Sequence, residues 1–207
     1  MTSRVISLVF VICCLSLTVF SQTPTASPTP QPQAKHAPAA GPTAPEHFTM
    51  VASMPRSATT TAWADVRVKH YSSDATTKRM AAALIEGGQD ALVKELEKAK
   101  PIGKASLSGR VSFFDLKLIR SRKTPTGRRV IGVSDRPIAF LENYRGTRST
   151  DYQLGIVVLD LKLDKKGKEV GTGMMLYAAK VKINKKGKLE IEYIGLDPIT
   201  LRNVRKY

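Results

Sequence analysis

His70 is expected to be the one histidine in the part of the chain that folds, because His36 and His47 fall in or beside a Pro-rich stretch. A Ser-His-Asp hydrolase would have to use it, yet no nucleophile-elbow pattern occurs, so a structural or exposed histidine is expected. A zinc site would need several nitrogen ligands that this stretch does not own. Carboxylates are the other route to hydrolysis. Asp135, Glu142 and Asp151 cluster around two loops, and a pair held at fixed separation could divide general acid and base work. Arg136 follows Asp135 and Arg148 lies three residues before Asp151, so ion pairing is their ordinary explanation. Gly171-Thr172-Gly173 sits between β segments rather than between a strand and a helix, which reads as a bend or bulge and not as a phosphate cradle. No cofactor, metal or catalytic residue is expected.

The remaining constellation is basic. The chain carries 33 Lys and Arg against 17 Asp and Glu, a formal charge of +16. Such an excess favours encounter with polyanions. If the strands after Pro101 form an up-and-down meander, the turns near 121–128 and 164–168 fall at one end of the sheet. Arg120, Arg122, Lys123, Arg128, Arg129, Lys165, Lys166 and Lys168 would gather there as an anion-binding cluster. Lys185 and Lys186 would join Arg145 and Arg148 at the opposite end. The arginines suit bidentate binding of oxyanions. Acidic polysaccharide and lipid headgroups are the partners this implies. The alternative is that lysine-rich turns simply stay solvated.

Nucleic acid ranks last among polyanions, because the N-terminus reads as an export signal. Arg4 supplies the positive flank, Val5 to Phe20 is an almost uninterrupted apolar run, and the mature chain would begin at Gln22. Retained, the run would serve as a membrane anchor, although sixteen residues fall short of the roughly 20 that a spanning helix needs. Cys13 and Cys14 lie in the middle of it and leave with it. The mature chain then has no disulfide, no thiolate nucleophile and no cysteine-ligated metal. The expected location is secreted or periplasmic.

Three parts follow: a signal over 1–21, a Pro/Thr/Ala-rich linker over 22–57, and a single domain over 58–207. Thr61 to Tyr71 alternates as a first strand. Ser73 or Asp74 can cap a helix that Gly87-Gly88 ends, and a second helix runs from about Gln89 to Lys98 before Pro101. Beyond Pro101 the signals are β. They mark Val111 to Ile119, Arg129 to Ser134 with a continuation through Ile138 to Glu142, Tyr152 to Leu163, and Ile199 to Val204. Leu154 to Leu159 is apolar on both faces, which predicts a strand covered twice. Asp164-Lys165-Lys166-Gly167-Lys168 and Asn184-Lys185-Lys186-Gly187-Lys188 share one hairpin-turn pattern. In the second, Lys182 should face Glu190, Lys180 should face Glu192, and Val181 should face Ile191. The expected fold is α+β: a mostly antiparallel sheet of six or seven strands, curling toward a half-barrel, with a two-helix layer on one face.

Gly87-Gly88-Gln89-Asp90-Ala91-Leu92, Arg128-Arg129-Val130-Ile131, Ser134-Asp135-Arg136-Pro137-Ile138, Ser149-Thr150-Asp151-Tyr152 and Pro198-Ile199-Thr200-Leu201-Arg202-Asn203-Val204-Arg205 together resemble a family of secreted bacterial proteins of unknown function. The resemblance covers about Ala58 to Arg205. It implies export and a single domain and brings no catalytic residue. The leading expectation is an exported, non-catalytic envelope or extracellular protein that meets an anion through its basic sheet end. A small carboxylate-dependent hydrolase and an envelope scaffold component acting through a sheet edge are the alternatives. Oligomeric state is left open.

Overall fold

The computed structural model describes residues 5–6, 45–53, 61–107, 113–138, 151–193 and 197–207. In chain order the elements are β1 (Val5–Ile6), β2 (Glu46–Ser53), β3 (Thr61–Val68), α1 (Asp74–Lys98), β4 (Gly103–Leu107), β5 (Phe113–Leu116), β6 (Leu118–Thr124), β7 (Gly127–Ser134), β8 (Leu154–Leu163), β9 (Glu169–Ile183), β10 (Leu189–Tyr193) and β11 (Ile199–Lys206). All strands among the described residues belong to one antiparallel sheet, whose main path runs β5-β4-β3-β2-β11-β9-β8-β7-β6. β10 pairs with the far half of β9, and β1 pairs with β10.

The first and last strands of that order are consecutive in sequence. Lys117 alone separates β5 from β6, and its N–H donates to the Val133 carbonyl at 2.9 Å. The wall therefore wraps around and nearly closes as an up-and-down barrel, sealed where the first long strand, β2, pairs with the last, β11. Strand alternation sends Phe48, Met50, Phe114, Leu116, Leu159, Leu161, Met175 and Leu201 inward, where they form one buried core. A barrel of about eight staves is just wide enough for side chains to fill it.

The architecture corrects the expected one. Among the described residues, ten strands of four or more residues and a single helical element replace six or seven strands with a two-helix layer. The difference starts at β2, which lies inside the stretch read as linker. Composition dominated by proline up to Pro45 hid the alternation of Phe48, Met50 and Ala52 that buries one face of this strand completely. α1 runs through Gly87-Gly88 as one continuous element, but Gly88, at φ 68° and ψ −163°, is non-helical and joins two helical segments across a kink. Ser73 caps it, accepting the Thr76 N–H at 3.1 Å. Immediately after the kink, Gln89 donates to the Asp151 carbonyl and accepts the Val181 N–H, both at 2.9 Å, which ties the helix to β9.

Met80, Leu84, Leu92, Val93 and Leu96 of α1 pack against Leu154, Ile156, Val158, Leu176 and Val181, forming a second core on the outside of the barrel. β8 is thus buried on both faces, as its continuous apolar run requires. The β9–β10 hairpin has the register that its turn pattern dictates: Lys182 opposite Glu190, Lys180 opposite Glu192, Val181 opposite Ile191. Gly167 and Gly187 hold φ of 73° and 70° in the two matching turns. Among the described residues no helix is long and apolar enough to cross a membrane.

Candidate functional site

The β6–β7 and β8–β9 turns lie side by side at one end of the barrel, since Thr124 pairs with Gly127, Gly127 with Lys162, and Leu163 with Glu169. Consecutive strand residues face opposite sides, so Arg128 and Arg129 part company there. Arg128 turns into the barrel mouth. Its guanidinium donates to both Glu169 oxygens at 2.5 and 2.6 Å and to both Glu46 oxygens at 2.9 and 3.1 Å. The Tyr71 hydroxyl also donates to Glu46, and Lys206 Nζ reaches Glu46 at 2.7 Å. The Glu46 side chain is fully buried. Burial alone would raise its carboxyl, but the bonds from Arg128, Lys206 and Tyr71 outweigh it and hold the group below the ordinary carboxylate range. Burial and the Glu46 contact push the Tyr71 hydroxyl well above its usual value. Burial works against the Arg128 cation, and its two carboxylate partners more than compensate. This cluster seals the mouth and leaves Arg128 no open edge for a ligand.

Arg129 turns outward onto the wall and meets its cross-strand partner Asp160 at 2.6 and 3.0 Å, a contact that stabilises the charged guanidinium. Here a groove of about 720 Å³ opens on the outer face of β7, β8, β9 and β11. Arg129, Asp160, Lys162, Thr172, Arg202, Asn203 and Arg205 line it. Arg202 and Arg205 are three residues apart and would face opposite sides of a regular strand. A bulge changes this: the register slips between Leu201 and Val204, with Asn203 at φ 53°. Asparagine tolerates that left-handed conformation better than most residues. Leu201 and Val204 both stay in the core, while Arg202, Asn203 and Arg205 stay exposed. Lys162, Arg202 and Arg205 form no ion pair with any described residue, so three cations line the groove beside one carboxylate that Arg129 already holds.

The eight basic residues expected to cluster divide by face. Arg120 donates to the Ser72 carbonyl at 2.8 Å and pairs with Asp74 at 2.7 Å, anchoring the start of α1. Arg128 and Arg129 are engaged as above. Arg122 and Lys123 are exposed on β6. Lys165, Lys166 and Lys168 are exposed on the β8–β9 turn beside the groove. Lys185 and Lys186 occupy the β9–β10 turn, whereas Arg145 and Arg148 lie outside the described residues. Sequence reading missed Lys162, Arg202 and Arg205. A bulge-compatible asparagine between two arginines was the available signal, but its meaning depends on β11 closing the barrel against β9.

Of the carboxylates considered for hydrolysis, Asp135 lies 3.7 Å from Lys117, Asp151 is exposed, and Glu142 falls outside the described residues. His70 is exposed, with Nδ1 3.4 Å from the Tyr71 carbonyl. Among the described residues no group of three or more His, Cys, Asp or Glu could hold a metal ion. No protein-family model, no curated protein and no solved structure matches the chain.

Proposed function

We propose that this is an exported, non-catalytic binding protein whose barrel wall engages an anionic polymer or surface. The observation that carries the reading is the set of outward cations at the β8–β9–β11 groove, Lys162, Arg202 and Arg205, which no carboxylate among the described residues neutralises. Lys123, Lys165, Lys166 and Lys168 extend the positive field around the adjoining barrel end. The proposed contact thus moves from the sheet end to the wall beside it.

The test is binding of the full chain to acidic polysaccharide, anionic vesicles and DNA across a salt titration. Binding is expected at physiological salt. The Arg202→Ala, Arg205→Ala double variant should weaken it and flatten the log–log salt slope by roughly one per cation removed. An unchanged slope would place the contact elsewhere. Arg128→Ala is the wrong probe, because it perturbs the barrel mouth and not the wall.

Export rests on Arg4 and the apolar run to Phe20. Mass spectrometry of protein recovered outside the expressing cell should give Gln22 as the first residue. A retained Met1 would instead make this stretch an anchor.

A further inference from the structure

Cross-strand pairing carries the groove further around the wall than its own lining. Asp160 pairs with Thr172, the bulged Arg202 and Asn203 lie opposite Thr172, Arg202 pairs with Val51, and Val51 pairs with Trp63. Directly paired residues share a face, so Trp63 stands on the same outer surface as Arg202. It is 64% exposed. The neighbouring row on one side runs Thr200, Ser53, Thr61. On the other side it runs Lys162, Val170, Arg205, Thr49, Asp65. α1 covers a different part of the wall, packing on β8 and β9 through Ile156, Val158 and Leu176.

We propose that the ligand of this wall is an acidic polysaccharide, with a sugar ring stacked on Trp63 and its acidic groups on Arg202 and Arg205. This rests on the anion-binding reading above and names its ligand class. Length comes first: around the curved outer wall, Trp63 on β3 to Arg129 on β7 is five strand spacings, a backbone arc of about 24 Å that turns past half of the barrel, which calls for a polymer. Chemistry comes second. An indole offers an apolar face with a polar edge, and the flanking rows offer the hydroxyls of Thr49, Ser53, Thr61 and Thr200, which both donate and accept as a polyhydroxylated ligand requires. A lipid surface would want contiguous apolar side chains, but Val51 and Trp63 stand between Ser53 and Thr61 on one side and Thr49 and Asp65 on the other. A single nucleic-acid strand is held by successive aromatic platforms, but along β3 the outward neighbours of Trp63 are Thr61 and the Asp65 carboxylate, and Phe113, another exposed ring, lies two strands away across Ser106.

Trp63 is the chain's single tryptophan, so its fluorescence reports this surface alone. The full chain is titrated with a uronic-acid polysaccharide, with polyphosphate as a ringless polyanion, with anionic phosphatidylglycerol vesicles and with single-stranded DNA. The polysaccharide is expected to change Trp63 emission and shield it from acrylamide, whereas polyphosphate binds without doing so. Trp63→Ala should weaken polysaccharide binding about tenfold and leave polyphosphate binding unchanged, with Trp63→Tyr restoring most of the loss. Equal binding of polysaccharide and polyphosphate with a silent Trp63, abolished by the Arg202/Arg205 double variant, overturns the polysaccharide inference and keeps the anion reading. A response of Trp63 to vesicles or DNA alone also overturns it in favour of that ligand. Absence of binding to all four at physiological salt overturns both.

Discussion

Arg128→Ala is expected to destabilise the protein by about 3–5 kcal/mol, a shift of roughly 10 °C or more in thermal unfolding. Removing one partner of a buried ion cluster leaves the others charged in a low dielectric, and Arg128 neutralises two carboxylates at once, Glu46 and Glu169. Arg129→Ala is the control. Its partner Asp160 is half-exposed, so the loss should be about 0–1 kcal/mol although the bond lengths are similar. Two adjacent arginines of one strand thus differ severalfold in cost because they face opposite sides of the wall. The same cluster gives stability a pH dependence. Glu46 has a folded pKa below its unfolded value, so its contribution is fully present above the ordinary carboxylate range and is lost as pH falls through the lowered folded pKa. The stability gap between the native protein and Glu46→Gln should therefore narrow as urea unfolding is repeated from about pH 6 down to pH 3. A gap that stays constant would mean that packing, not charge, sets the cost of losing Glu46.

Local pairing was legible in the sequence and global closure was not. The β9–β10 register could be read because Lys180 and Lys182 match Glu192 and Glu190 on one face while Val181 matches Ile191 on the other. The double burial of β8 could be read from Leu154 to Leu159, and the helix start from Ser73. β2 could not, since composition favours linker through Pro45 and the strand's alternation earns its meaning only when β11 and β3 flank it. Nor could the split between Phe113–Leu116 and Leu118–Thr124, where one bent stretch of chain serves both edges of the wall. The candidate site failed in sequence for the same reason. Pooling Arg128 with Arg129 treats a turn as a point, but at a barrel rim one residue enters the mouth while its neighbour stays outside. Arg202 and Arg205 come together through a bulge that breaks period-2 counting.

Gly171→Ala is expected to cost more than about 3 kcal/mol, above the usual range for one added methyl group. A Cβ at Gly171 would lie 1.9 Å from the Asp160 carbonyl oxygen and 2.9 Å from its carbon, both backbone atoms of the neighbouring strand. Side chains swing aside, but this ladder cannot, because Asp160 pairs on one side with Arg129 and on the other with Thr172. β9 approaches β8 this closely where the barrel wall turns toward β11, and glycine is the residue that lets a strand coil that tightly. Gly167→Ala separates this cause from mere loss of glycine. Gly167 holds φ of +73° with nothing within 4 Å of a built Cβ, so the variant should lose only the left-handed penalty of about 1 kcal/mol. Urea unfolding of the two variants reads the difference, and equal losses would show that crowding at β8 is not what excludes a side chain. Because Asp160 and Thr172 also line the groove beside Arg202, Gly171→Ala should weaken anion binding as well, whereas Gly167→Ala changes a solvated turn and leaves the groove intact.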